Sequence, residues 1–576
     1  MADYNNILGK IARMQQKYRI KGISIVIADA AKTLLSEQKG YADFYGERLV
    51  DETTKFKVGS ITKVLTAISI MQLVEENMID LAADIKEYIP EFTIKSRFDN
   101  YKITIKNLLE HRSGIPCDNF ALTLAKEPRD YNEILDYLST QYLIAPPGKM
   151  IAYSNIGYTL LGIVIERVSK KKYADFVQRN IFNPLGIDGN FICSEDDFRQ
   201  HKYEISRAYN SLGEEKEDYA GFVVPAGSNT YMSADDCIKI AQIFLNGGKI
   251  GSKRILKPET VAMMLEKPNY EDEEGCKIGF GLMFDKHVFP GMGNAVGHTG
   301  GTIYYFSEMV FLPEQGLAAV VLTNSVKGAD FIKKIFTPLL ETALQEKGYK
   351  RVYTRKPKKM YCTFRIEEYT GIYPTAETPI HITYKKHLRI KMGKIHAKMF
   401  LKKNNWFDLK PTGLSILFGR QVRALEIKVE RETLTIKKNY HNGQAEIHDV
   451  GVFVKPFDIL PTWTMACGRY ACLVEPKRSV AGSIKLFIKD QFLMAKLCGG
   501  VSRNKTQILG TINETEAIIL GYGRGTSETV FLGNKMITYN GNKFVLESSF
   551  KTFCRRAKIL AFGAWLKEKL SFKKHK

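Results

Sequence analysis

A change of residue pattern near position 350 constrains this chain more than any other feature. Before it, helical and strand periodicities alternate. An amphipathic segment carries Ile7, Ile11 and Met14 on one face, and two strands are expected at 22–29 and 33–40 across an Ala-Ala-Lys turn. Helices are expected at 60–76, 155–169, 234–246, 258–266 and 330–346, with late strands at 302–312 and 317–323. After the break, short strands such as 380–384, 388–392, 434–438 and 517–520 alternate with Asn-Gly and Thr-Gly turns, the pattern of antiparallel barrels.

One core cannot organise 576 residues, because compact domains usually run to about 100–200. The expected division is an α/β domain over 1–350, a basic linker over 351–360 (with Arg-Val-Tyr-Thr-Arg-Lys-Pro-Lys-Lys at 351–359), and two barrels over 361–460 and 461–552. A weak repeat supports two barrels: Tyr369-Thr-Gly-Ile-Tyr373 opens the first and Ala466-Cys-Gly-Arg-Tyr470 the second. The remainder, 553–576, is Lys/Arg-rich against a single acidic residue, Glu568, with Ile559, Phe562, Trp565 and Leu566 on one helical face.

Charge divides at the same place. Residues 1–350 carry a net −3 and residues 351–576 a net +25. Such a field reads either as a solubilising basic surface or as attraction to an anionic one, membrane lipid or a cell-wall polymer, and nucleic acid is not the expected partner. The nine cysteines are scattered and form no CxxC pair, which argues against a disulfide framework or a zinc site and fits a reducing compartment. No metal or other cofactor is expected. Residues 1–21 lack a continuous apolar stretch, and no apolar run reaches the roughly 18 residues a membrane span requires. The expected location is cytoplasmic, or peripheral to a membrane.

The chemistry rests on three short motifs. A serine hydroxyl becomes a useful nucleophile only when a base takes its proton, and a lysine one helical turn later can do so. Ser60-Ile-Thr-Lys63 has this spacing. Other Ser-x-x-Lys pairs occur, as at Ser36/Lys39 and Ser169/Lys172, but Ser60 follows a strand-like segment ending in Gly59 and opens a long apolar helix. Tyr153-Ser-Asn155 comes next, after Pro146-Pro-Gly148 and before a helix, and His298-Thr299-Gly300 then precedes Gly301 and an apolar strand.

In this order and context the three motifs resemble the signatures of the serine β-lactamase and penicillin-binding-protein superfamily, and most of all its class C-like branch of D-aminopeptidases, D-alanyl-D-alanine carboxypeptidases and esterases. The stretch Leu108-Leu-Glu-His-Arg-Ser-Gly-Ile-Pro116 is also similar to that branch. The resemblance covers about residues 10–345. It implies an antiparallel sheet with flanking helices and a helical subdomain. It further implies that Ser60 is acylated, that Lys63 and Tyr153 move the proton, and that Asn155, His298, Thr299 and Gly300 bind substrate. The backbone amides of Ser60 and Gly301 would form the oxyanion hole.

Position 298 departs from the commoner Lys-Thr-Gly. A lysine is a fixed cation for a substrate carboxylate, whereas histidine has an unperturbed pKa of about 6.5 and is largely neutral at pH 7. The expected activity is therefore hydrolysis of D-amino-acid peptides, amides or esters, small molecules or short peptides. The alternative is a non-hydrolytic penicillin-binding or sensor-like protein that captures a ligand at an anionic surface. D-aminopeptidases of this branch carry two β-barrels behind the catalytic domain, which the present layout resembles.

Overall fold

The computed structural model describes residues 4–548 apart from 120–129, 217, 219–224, 270–276, 285–288, 290–292, 350–368, 403–404, 431–432, 440–444, 474–480, 500–503 and 522–525. The expected linker at 351–360, the first residues of the expected first barrel and the basic segment 553–576 lie outside the described residues.

The first region is built on an eight-stranded antiparallel sheet. Its strands are β1 (Gly22–Asp29), β2 (Thr33–Asp43), β3 (Arg48–Leu49), β4 (Lys277–Ile278), β5 (Met283–Phe284), β6 (Val296–Gly301), β7 (Phe306–Leu312) and β8 (Leu317–Thr323). In space they run β4-β5-β6-β7-β8-β1-β2-β3, so β1 pairs with β8 across almost the whole domain sequence, Ile23 opposite Thr323 and Asp29 opposite Leu317.

The side chains of β1 show why the sheet is buried on both faces. Ile23, Ile25 and Ile27 join a core with α1 (Tyr4–Tyr18) and the long C-terminal helix Gly328–Glu346, while Val26 and Ala28 face the other core. A strand covered on both faces reads as a continuous apolar run, and this one does. The other core also encloses α2 (Thr62–Glu75), whose side chains are buried nearly all round, and α3 (Asn155–Ser169).

The largest differences in strand extent from the sequence reading fall on two strands. β2 runs on to Asp43 because its last residues pair with β3. The strand expected from 302 begins at Phe306 because Thr302 and Tyr305 close a turn, with the Thr302 amide donating to the Tyr305 carbonyl at 2.9 Å.

The C-terminal region is all-β. An eight-stranded sheet comprises β9 (Gly371–Tyr373), β10 (Ile380–Lys385), β11 (His387–Met392), β12 (Ile395–Leu401), β13 (Phe407–Pro411), β14 (Leu425–Glu430), β15 (Thr433–Asn439) and β16 (Ala445–Val452). It is nearly closed: its two ends meet through the bridge Ile372–Val454. The next eight strands, from Gly468–Cys472 to Asn542–Leu546, close fully, the first pairing with the last. Trp463, completely buried, plugs this second barrel and donates its indole N–H to the Asn513 carbonyl at 2.9 Å.

The closed barrel touches the first region as well. Arg97 donates to the carbonyls of Leu143 and Ser527, and the Tyr142 hydroxyl donates to Glu516 Oε2 at 3.2 Å. No helix among the described residues is long and apolar enough to cross a membrane.

Candidate active site

The turn that carries Ser60 is shaped by glycine. Gly59 has φ +56°, a conformation that costs other residues about 1 kcal/mol or more, and it turns the chain from the short strand Phe56–Lys57 into a 3-10 turn and then α2. The last residues of β6 press against this turn. A Cβ on Gly300 would lie 1.9 Å from the Val58 carbonyl oxygen, and one on Gly59 would lie 2.9 Å from the Gly301 amide nitrogen. Ser307 Oγ secures the approach by donating to the Val58 carbonyl at 2.7 Å. The backbone of Gly301 thus stands beside Ser60 with no side chain between them.

Lys63 lies one turn into the helix and is fully buried, which puts its Nζ in reach of three acceptors: Ser60 Oγ at 3.1 Å, Asn155 Oδ1 at 2.8 Å and the Gly227 carbonyl at 2.8 Å. An ammonium uses all three hydrogens here. A neutral amine keeps two hydrogens for Asn155 and Gly227 and turns its lone pair to Ser60. The rings of Tyr153 and Tyr158 stand 5.0 and 5.5 Å from Nζ.

Asn155 begins α3, where Ser154 caps the helix by accepting the Gly157 amide at 2.9 Å. Its own amide group is oriented from both ends. Oδ1 accepts from Lys63, and Nδ2 donates to Asp118 Oδ1 at 2.5 Å. The Asn155 backbone N–H donates to the Cys117 carbonyl at 2.9 Å.

His298 is buried on β6, its Nδ1 2.6 Å from the Thr299 carbonyl oxygen, a contact that requires a hydrogen on Nδ1. Its ring centroid lies 6.1 Å from that of Tyr153. The structure therefore brings Ser60, Lys63, Tyr153, Asn155, His298 and the glycines 300 and 301 together in one place. Thr299 is half-buried on the same strand, its Oγ1 4.0 Å from the Met283 sulfur.

Four residues that support this arrangement were not singled out by motif. His111, held at φ +55°, accepts the Ser154 amide on Nδ1 at 2.9 Å and stacks on Tyr153 with ring centroids 4.1 Å apart. Asp118 anchors Asn155. Asp218 is buried between the motifs: it accepts from Lys57 Nζ at 3.4 Å, from Thr302 Oγ1 at 2.5 Å and from the Tyr304 amide at 3.2 Å, tying the strand before Ser60 to the loop after Gly301. Glu528 comes from the closed barrel, where it accepts the Cys117 amide at 3.3 Å and Asn540 Nδ2 at 3.1 Å. Burial, and then the neighbouring Asp118, push its carboxyl above the ordinary range. Only His111 had a sequence signal, lying inside the Leu108–Pro116 stretch.

The chain is similar to several known proteins. Protein flp from Staphylococcus aureus strain N315 is 32% identical over 345 residues, covering 58% of this chain and 66% of its own length, so the chain spans just under two thirds of that relative. Penicillin-binding protein 4 of Amycolatopsis lactamdurans is 26% identical over 302 residues, covering 50% of this chain and 76% of its own. Among solved structures, SurE aligns with a TM-score of 0.56 at 20% identity over 77% of this chain and 98% of its own, and a second SurE structure holds D-Leu. The octameric penicillin-binding protein homologue from Pyrococcus abyssi aligns over 92% of this chain and 99% of its own with a TM-score of 0.51 at 17% identity. The sequence profile of the Beta-lactamase family matches residues 9–342, and the chain belongs to that family.

Proposed function

We propose that the protein is a serine hydrolase that acts through an acyl-enzyme at Ser60 on D-amino-acid peptides, amides or esters. The observation that carries this reading is the set of partners around Lys63 Nζ. Asn155 and Gly227 take two hydrogens and leave the remaining position for Ser60. With its amine neutral, Lys63 can accept the serine proton.

Ser60 Oγ then attacks the substrate carbonyl. The new Oγ–C bond places negative charge on the carbonyl oxygen, which the amides of Ser60 and Gly301 stabilise. The proton taken by Lys63 passes through Tyr153 to the departing amine or alcohol as the C–N or C–O bond breaks. Water, relieved of a proton by Tyr153, cleaves the ester and restores Ser60.

The family shares serine chemistry, and the substrate class is our inference. His298 supports it, since a neutral imidazole does not demand a free substrate carboxylate as a lysine would. A related fold solved with D-Leu supports the D configuration.

A panel of D-amino-acid amides, short-chain esters and nitrocefin, run on the wild type and on Ser60→Ala, tests the proposal. Turnover of D-amides or esters that disappears in Ser60→Ala is expected. If fluorophosphonate and labelled penicillin label Ser60→Ala as well as the wild type, the mechanism is wrong; acylation without product release would favour the non-hydrolytic reading.

A further inference from the structure

The first barrel ends in an unusual turn. Between β13 and β14 the chain forms a 3-10 turn, Gly413–Phe418, with Leu414, Ile416, Leu417 and Phe418 exposed at 83%, 62%, 80% and 52%. Four neighbouring apolar side chains held in water is an arrangement soluble surfaces seldom keep. The turn is nonetheless well anchored. Ser415, buried, accepts the His396 amide at 2.7 Å and donates to the Lys394 carbonyl at 3.3 Å, and the Thr412 amide donates to the His396 carbonyl at 2.8 Å. The backbone is fastened to β12 while the apolar tips project.

The wall leading to this turn is cationic. Arg389 on β11 stands directly opposite Lys398 on β12, which stands opposite Lys410 on β13. Like charges placed opposite each other across strands are destabilising. Among the described residues, none of the three takes part in an ion pair. Lys394 and His396, both exposed, lie where the turn is fastened. The same field reaches His381, which burial, and next Lys391, hold below the usual histidine range.

We propose that this end of the first barrel docks on an anionic lipid bilayer, with Leu414, Ile416, Leu417 and Phe418 inserted among the acyl chains and the Arg389–Lys398–Lys410 row on the headgroups. The combination selects lipid over a soluble polyanion. A polymer neutralises the cations but offers nothing to four apolar side chains, whereas a bilayer satisfies both. Docking in this way would hold the catalytic region at a membrane without a spanning helix.

The test is sedimentation of the full chain with vesicles of phosphatidylglycerol and phosphatidylcholine, and of phosphatidylcholine alone. Binding is expected only with the anionic mixture and should weaken with salt. Leu414→Ser/Leu417→Ser, which alters only exposed side chains, should lower partitioning about tenfold or more. Lys398→Glu/Lys410→Glu should lower it by a similar factor. In Phe418→Trp, brominated lipid should quench the new indole beyond the quenching of wild type. The proposal fails if the serine variant pellets like wild type, which would assign binding to charge alone or to the basic 553–576 segment. It fails equally if a soluble polyphosphate binds as tightly as the vesicles and both double variants leave vesicle binding unchanged.

Discussion

Glu528 of the closed barrel accepts the backbone N–H of Cys117, 3.3 Å away, and the carbonyl of that same Cys117 accepts the N–H of Asn155 at 2.9 Å. One peptide segment therefore links a barrel carboxyl to the residue that orients Lys63. Asp118, next in the chain, holds the Asn155 side chain. Glu528 is a positioning residue in this arrangement. Glu528→Ala should leave the Cys117 amide without its acceptor, at about 1–3 kcal/mol, and should slow acylation of Ser60. Glu528→Gln keeps an acceptor oxygen and should restore most of the rate. A purely structural role would show the same loss in kcat/KM whichever residue replaced Glu528.

The same carboxyl makes stability depend on pH. Its folded pKa lies above the ordinary value of 4.5, so the folded state holds the proton more tightly than the unfolded chain. Its contribution is fully present below about pH 4.5 and is lost as pH rises through the folded pKa. Glu528→Gln should flatten that decline. Melting temperatures of the two proteins, measured from acid to neutral pH, should diverge in this direction; parallel curves would assign the decline to other groups.

Lys63→Met fills nearly the same buried space but removes the amine proposed as base. Acylation by labelled penicillin should fall by about 10²–10⁴-fold, the usual contribution of a positioned proton acceptor. Reversible capture of substrate should persist, as competition binding would reveal. Unchanged acylation would remove Lys63 from the mechanism.

Gly300→Ala adds a methyl that would meet the Val58 carbonyl at 1.9 Å. The edge of β6 must move away from the nucleophile turn, at a cost of about 1–3 kcal/mol. Thermal unfolding should show the loss, and fluorophosphonate labelling of Ser60 should drop with it even where the protein remains folded.

Trp463→Ala should destabilise the closed barrel by about 3–5 kcal/mol, since a fully buried indole is removed and the Asn513 carbonyl loses its donor. Denaturant unfolding should then separate a weakened barrel transition from that of the rest of the chain.

Local information accounts for what the sequence disclosed. Gly22–Asp29 reads as a buried strand because both its faces are covered, and Thr62–Glu75 as a buried helix because it is apolar all round. The three motifs are legible because each is contiguous and the chemistry fixes its residue types. His111, Asp118, Asp218 and Glu528 were not legible as a set. Their partners lie 43, 37, 84 and 411 residues away, for the contacts to Ser154, Asn155, Thr302 and Cys117. An isolated acid or histidine carries no mark of a partner that only folding supplies. Thr302–Tyr305 shows the same limit, as it reads as strand until Asp218 draws it into a turn.

The pairing of Gly22–Asp29 with Leu317–Thr323 also sets the order in which a newly made chain can become competent. Ser60 is synthesised well before β8, and the central sheet lacks its middle until β8 has been added. Contacts this distant in sequence form slowly. A nascent chain thus carries Ser60 through some 240 further residues before Gly300 and Gly301 are made, and the proposed chemistry can begin only once the first region is complete.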